Sequence, residues 1–263
     1  MGLDNIVEGV YVEMKGSKRV MVTSDYHIPY MDEKAYACMK AYAKKEKPHI
    51  FVLNGDILDF YAISRYDKNP EHYNINQELD IAREKLIDLR KTLGDKCEIY
   101  YLEGNHECRL QKYLWKNPEL ISLKELKMEN LLNLNELNIK WVGADPDYWK
   151  KSSGSLNLGN TRIMHGDNAL NGAKTSGYSG YSAKNTVQTI RKNVVLGHVH
   201  RGAVVYNTNE DDTLVGVEAG CLCQNVPTAN WQQGFATFEV YKGKGYDYRF
   251  HHILDGKLYE KVR

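Results

Sequence analysis

Long apolar runs are missing from this 263-residue chain. No stretch nears the roughly 18 consecutive apolar residues of a membrane span, so no membrane partner is expected. Charge of one sign is missing too. Lys plus Arg number 35 against 34 Asp plus Glu, and a net charge of +1 supplies no global field to draw in nucleic acid, although local basic patches stay open. Cysteines are few and odd in number (Cys38, Cys97, Cys108, Cys221, Cys223), which argues against a disulfide framework and for reduced thiols in a cytoplasmic protein. Cys221-x-Cys223 is open to two readings, a metal pair or buried thiols, and no second Cys pair completes a zinc site. The start Met1-Gly2-Leu3-Asp4 has no basic segment followed by an apolar core, and Ile6 stands where a myristoylation signal needs Ser or Thr. Neither a secretory leader nor an N-terminal lipid is expected. Repeats and low-complexity segments are also absent, and the length suits one domain, residues 1–263, with a well-buried core.

What is present is one pattern used five times: a short β-rich run followed by metal-ligand residue types. Val20-Met21-Val22-Thr23 leads to Asp25-Tyr26-His27, Ile50 to Leu53 leads to Gly55-Asp56, and Ile99 to Leu102 leads to Gly104-Asn105-His106. Thr161 to Met164 leads to His165-Gly166-Asp167, and Val194 to Leu196 leads to Gly197-His198-Val199-His200. The ligand types therefore gather at one edge of a sheet. Asp25 and Asp56, with Asn105 and the five histidines, are too many for one four-coordinate ion and suit two ions bridged by a carboxylate.

Between these runs, Asp32 can cap a helix that reaches about Lys47 and stops at Pro48, and Asn76 to Leu93 repeats the helical period before Gly94. Alternating strands and helices predict a parallel or mixed sheet with ligands at its carboxyl ends. Residues 110 to 135 read as two short helices. Gly9 to Lys15 and Lys18 to Thr23 predict a hairpin around Gly16. After Trp141 the short strands and turns predict a mostly antiparallel second sheet facing the first.

The ordered set Asp-x-His, Gly-Asp, Gly-Asn-His, His-Gly and Gly-His-x-His, spanning residues 20 to 202, resembles the calcineurin-like metallophosphoesterase superfamily. That resemblance implies an α/β fold with two facing mixed β-sheets flanked by helices, an α/β/β/α sandwich. It implies that one ion takes Asp25, His27, Asp56 and His200, that the other takes Asp56, Asn105, His165 and His198, and that a metal-bridging hydroxide attacks phosphorus. His106 is then the general acid, with Asp59 as the carboxylate that holds it; a loop aspartate or helix cap is the alternative for Asp59. Asp167 either orients a ligand histidine or caps the next turn. Mixed nitrogen and oxygen donors suit two divalent transition-metal ions, Mn first, with Fe, Zn or Ni as alternatives, better than Mg.

The segment Gly104 to Arg109 is similar to the matching motif of the serine/threonine protein phosphatases, but only locally: Phe60-Tyr61 follows Asp59 where those enzymes carry Arg-Gly. Arg65, Arg109, Lys174 and Arg201 are candidates for phosphate contact. Tyr178, in the hydroxyl-rich loop Asn171 to Tyr181, is a candidate for substrate contact, and with Tyr61, Tyr66 and Tyr181 it can stack on bases; among 19 tyrosines, plain surface roles are the alternative. About 60 residues follow His200, short of the extra substrate-binding domain of the double-strand-break repair nucleases in that superfamily. The expected function is hydrolysis of a phosphomonoester or phosphodiester of a nucleotide or nucleic acid. A protein or small-molecule phosphatase is the second expectation, and a non-catalytic scaffold the reading from another class. His49, His72, His251 and His252 match no motif.

Overall fold

In β2 (Ser17–Thr23) side chains alternate: Val20 and Val22 pack to one side and Met21 to the other, as in a strand buried on both faces. The computed structural model describes residues 9–67, 69, 74–143, 154–167, 177–210, 212–226 and 228–259. In β3 (Ile50–Asn54), Ile50 and Val52 join Val20 and Val22, while Phe51 and Leu53 join Met21. With β4 (Glu98–Leu102) and β5 (Ile139–Val142) these strands run parallel in the order β2-β3-β4-β5. Parallel neighbours need crossovers, which α1 (Glu33–Glu46) and α2 (Ile75–Leu93) supply. Asp32 caps α1 by accepting from the amides of Lys34 and Ala35, both at 2.9 Å, and Gly94 closes α2, as the sequence leads one to expect. Residues 108–131 form α3 (Cys108–Lys116), α4 (Met128–Leu131) and two single 3-10 turns between them.

The expected hairpin at the start does not form. Gly16 turns the chain at φ +70°, but β1 (Val10–Val12) pairs in parallel with β6 (Ser155–Leu158) of the other sheet, Val10 beside Leu156. Both edges of β2 are taken, one by β3 and the other by β11 (Gly234–Tyr241), which runs antiparallel with Ala236 opposite Val22. The second sheet is also not mostly antiparallel. Its order is β1, β6, β7 (Thr161–Met164), β8 (Asn193–Leu196), β10 (Thr213–Ala219) and β9 (Gly202–Thr208), and three of its five pairings are parallel. β11 and β12 (Lys244–Leu254), with the short β13 (Lys257–Leu258), extend the first sheet instead.

Two facing mixed sheets of seven and six strands result. Val20, Val22, Val52 and Leu102 of one meet Leu156, Ile163, Val195 and Val217 of the other in a shared apolar layer. α1 and α2 cover the outer face of the first sheet through Met39, Leu79 and Leu86, and α5 (Tyr181–Ile190) covers the second through Ala183 and Val187. The α/β/β/α sandwich holds. The five cysteines are free thiols, with Cys97, Cys221 and Cys223 buried. Among the described residues no helix is long and apolar enough to cross a membrane.

Candidate metal centre

The carboxyl ends of β2, β3, β4, β7 and β8 meet at one edge of the sandwich, and polar contacts tie them together within and between the two sheets. The Asn54 side-chain amide donates to the Met164 carbonyl at 3.0 Å, the Ser24 hydroxyl donates to the Asn54 carbonyl at 2.9 Å, and the His198 amide donates to Asp25 Oδ2 at 2.9 Å. Beneath the Asp56 loop lies Glu107, fully buried, whose carboxylate accepts from the amides of Asp56, Ile57, Leu58 and Gly104 at 2.8–3.1 Å and from the Tyr101 hydroxyl at 2.8 Å. It pins two ligand loops to each other. Gly104 is required here, because a Cβ at that position would collide with the amide and carboxylate of Asp56.

Five of the seven expected ligands have left-handed backbone: Asp25 (φ 56°), His27 (48°), Asp56 (52°), His198 (65°) and His200 (55°). For side chains with a Cβ this costs on the order of 1–3 kcal/mol each, and it clusters where the surrounding structure forces side chains to converge. They do converge. Asp25 Oδ1 lies 3.2 Å from His200 Nε2 and 3.8 Å from His27 Nε2, and those two ring nitrogens are 3.1 Å apart. A second group forms around Asp56 Oδ2, 3.1 Å from His165 Nε2, which in turn is 3.1 Å from Asn105 Oδ1; the His198 ring joins it. Asp56 Oδ2 is also 3.9 Å from His27 Nε2, so this one oxygen borders both groups.

The far atoms of these side chains are occupied, which aims the near ones inward. His165 Nδ1 meets the Asn54 carbonyl at 2.9 Å, His27 Nδ1 meets Asp59 Oδ1 at 3.1 Å, and Asp56 Oδ1 accepts the His106 amide at 2.8 Å. Asp25 Oδ1 is buried with no hydrogen-bond partner. An orphaned carboxylate oxygen among inward ring nitrogens is a poor arrangement for hydrogen bonding and a good one for cations, so this donor set fits divalent ions. Electrostatics agree. Burial pulls His165 down, but Asp56 and Asp25 outweigh it and push the ring up to about 10; burial also opposes His200, which Asp25 raises to about 9. His27 follows the same pattern, held well above its ordinary value against burial by Asp25, Asp59 and Asp56. Burial and His165 lower His198. Burial works to raise Asp25 and Asp56, yet His200 and His165 respectively lead the charges that bring them below the usual carboxylate range. Protons thus stand where the carboxylates demand positive charge.

His106 lies at the border of both groups without joining the ring of acceptors. Its Nδ1 meets the Asp59 carbonyl at 2.9 Å and Asp59 Oδ1 at 3.2 Å, and its Nε2 accepts from Arg109 Nη2 at 2.9 Å and lies 3.8 Å from Asp56 Oδ2. Asp59 contacts His27 as well as His106, a double contact that its spacing from Asp56 does not disclose. Burial raises Asp59, but hydrogen bonds from these two rings outweigh it and lower the carboxyl. Glu78, pushed up to about 8 by burial and further by Asp59, accepts the Phe60 amide at 2.6 Å and fixes the turn after Asp59.

The expected substrate residues divide. Arg109 reaches the centre, while Arg65 is exposed and packs on the Tyr66 ring at 5.2 Å, and Tyr178 is 79% exposed. Neither Arg65 nor Tyr178 lines the cleft over the centre. Lys174 and His72 fall outside the described residues. His49 accepts the Arg19 amide at the foot of β2, and His251 packs on Phe235, both away from the cleft. That cleft, about 500 Å³, has His27, Asp56, Asn105, His106, His198 and His200 on its floor, and its walls include Tyr30, Gln224, Asn225, Val226 and Trp231. The Trp231 ring stands edge-on to His200 with centroids 4.2 Å apart. These wall residues escaped the sequence reading because the segment from Gln224 to Trp231 carries no period and no motif. Glu107 lay inside a quoted motif, but nothing in its spacing signals five donors. Cys221 and Cys223 are buried free thiols, and they also form a compact group with His200.

The family profile described as Calcineurin-like phosphoesterase matches residues 18–215. The Gene 54 protein of Mycobacterium phage D29 is 27% identical over 241 residues, covering 85% of this chain and 89% of the phage protein. Among solved structures, a metallophosphoesterase from Sphaerobacter thermophilus is 16% identical with a TM-score of 0.47, over 90% of this chain and 88% of that one. Vacuolar Protein Sorting 29 from Cryptosporidium parvum is 13% identical with a TM-score of 0.47, over 93% of this chain and 95% of that one.

Proposed function

This chain belongs to the calcineurin-like phosphoesterase family, and from that premise we propose that it is a two-metal phosphoesterase acting on a phosphomonoester or phosphodiester of a nucleotide or nucleic acid. The observation that carries the reading is Asp56 Oδ2, an inward carboxylate oxygen that borders both donor groups from a strained backbone position. Asp25, His27, Asp56 and His200 would hold one ion, and Asp56, Asn105, His165 and His198 the other; Mn suits the donor mix. Such ions would supply Lewis-acid activation of water and neutralise charge on phosphoryl oxygens.

The chain's own residues supply the rest. His106 delivers a proton from Nε2 to the departing oxygen, a role typically worth about 10² to 10⁴ in rate. Asp59 holds the ring by Nδ1, its Oδ1 3.2 Å away. In the free protein Arg109 occupies Nε2, so Arg109 turns from His106 to the phosphoryl oxygens when a phosphate enters, which frees Nε2 to carry its proton. The cleft wall supports the substrate class: Trp231 and Tyr30 offer aromatic surface for a base, and the Gln224 and Asn225 amides suit base edges.

A screen of the Mn-loaded protein against p-nitrophenyl phosphate, bis-p-nitrophenyl phosphate, cyclic nucleotides and end-labelled DNA and RNA tests this. Turnover of a nucleotide or nucleic-acid ester is the expected result. Turnover of none by a protein with both ions bound would leave the non-catalytic scaffold as the better reading.

A further inference from the structure

The ring nitrogen of His200 that faces away from the centre has an unusual neighbour. Metal-binding histidines ordinarily pass their second N–H to a carboxylate, a backbone carbonyl or water. In this chain His200 Nδ1 lies 3.7 Å from Cys223 Sγ, and Cys221 Sγ completes a buried trio whose ligand atoms all lie within 4.8 Å of one another. The segment that carries both sulfurs is also fastened to the opposite ligand of the same ion. The amides of Leu222 and Cys223 both donate to the Asp25 carbonyl, at 3.0 and 3.1 Å. Cys223 lines the cleft although the residue is only 3% exposed.

We propose that Cys223 is the positioning residue for His200, and that the Cys221–Cys223 pair makes the ion on Asp25, His27 and His200 releasable by a peroxide-class oxidant. The proposal rests on the two-metal reading of the site. In the reduced state Cys223 sulfur accepts the His200 Nδ1–H and keeps Nε2 turned to Asp25. On oxidation the Cys223 sulfur attacks one oxygen of hydrogen peroxide, the O–O bond breaks, and the departing hydroxide takes the Cys223 thiol proton and leaves as water. The Cys221 thiol sulfur then attacks the Cys223 sulfenic sulfur, the S–O bond breaks, and the departing hydroxide takes the Cys221 thiol proton and leaves as a second water. Two electrons pass from the thiol pair to peroxide, giving one disulfide and two waters. Closing the sulfurs to about 2.05 Å draws Cys223 from His200 and shifts the two amides that hold Asp25.

Mn stoichiometry and affinity, measured by equilibrium dialysis and elemental analysis on reduced wild type, Cys223→Ser, Cys223→Ala and His200→Ala, test the first half. Wild type should bind two ions. Cys223→Ala should weaken one of them by about 10- to 100-fold, as second-layer partners of metal histidines do, in the same direction as His200→Ala. Cys223→Ser, which keeps an acceptor, should lose less. Peroxide treatment of the folded wild type, followed by peptide mass mapping, tests the second half: a Cys221–Cys223 disulfide should accompany release of one ion, and reductant should restore it. This arm decides the matter even if Cys223→Ala fails to fold. Full two-ion affinity in Cys223→Ala, or a mapped disulfide with both ions retained, would overturn the proposal. Wild type that binds no Mn would instead sink the two-metal reading and this inference with it.

Discussion

Replacing Glu107 by Gln tests how the site is held together, because the two oxygens of Glu107 divide five donors between them. Oε1 takes the Ile57 and Leu58 amides and the Tyr101 hydroxyl, and Oε2 takes the Asp56 and Gly104 amides. Burial and the adjacent Asp56 push this carboxyl up, while the donors pull it down. Burial prevails and the carboxyl stands above its ordinary value, but all five neighbours are donors, so a protonated Glu107 would have to aim its own hydrogen at a donor. Gln must do that. With its oxygen toward Ile57, Leu58 and Tyr101, its NH₂ faces the amides of Asp56 and Gly104 and leaves two buried donors unmet. At about 1–3 kcal/mol for each, the loss is roughly 2–6 kcal/mol, a large part of a total stability of about 5–15 kcal/mol. For a chain of this size that corresponds to a fall in Tm of roughly 5–20 °C. Urea unfolding followed by circular dichroism measures it. A Glu107→Gln variant within about 0.5 kcal/mol of wild type would mean that Glu107 is neutral and that the pinning argument is wrong.

Four further outcomes follow from the site. His106→Asn should slow an alkyl phosphate ester by about 10² to 10⁴ but a p-nitrophenyl ester much less, with two ions still bound. Asp59→Asn should show the same leaving-group dependence with a loss of about 10- to 100-fold, and the double variant should be little worse than His106→Asn alone. Equal losses on good and poor leaving groups in steady-state assays would remove His106 from the acid role. Trp231→Ala should raise KM for a nucleotide ester by roughly 5- to 150-fold, the equivalent of about 1–3 kcal/mol of base stacking, while leaving KM for a sugar phosphate nearly unchanged, and Trp231→Phe should recover most of it. Metal binding should release protons, because His27, His165 and His200 are raised and charged at pH 7 in the metal-free protein. Raised folded values stabilise the metal-free chain fully below about pH 6.5 and are lost as pH rises through about 9 and about 10, so metal-free melting should drop between pH 7 and 10 as Mn affinity climbs. Calorimetry in buffers of different ionisation enthalpy would contradict this by showing no proton release.

The sequence carried the parallel core of the fold because periods are local: Val20, Met21 and Val22 declare a strand buried on both faces, and Asp32 and Gly94 declare helix ends. Pairing partners are not local. Alternation says which face of β11 and β12 is buried but not which sheet edge they join, and the hairpin expected at Gly16 failed because β11 occupies the edge of β2. The centre divides in the same way. Asp25, His27, Asp56, Asn105, His165, His198 and His200 follow strand ends and were visible as residue types, and the structure brings them together. Glu107, Trp231 and the contact of Cys223 with His200 depend on distances between segments far apart in sequence, which no spacing encodes.

The central claim is that turnover needs two ions held about Asp56. Stepwise addition of Mn to the metal-free protein, with bound metal and bis-p-nitrophenyl phosphate hydrolysis followed together, tests it most directly. The account predicts no hydrolysis by the metal-free chain, a rise that tracks the second equivalent, a plateau at two ions per chain, and loss of both ions and activity in Asp56→Asn. Full activity with one ion or none, or an Asp56→Asn variant that keeps both ions and normal turnover, would contradict it.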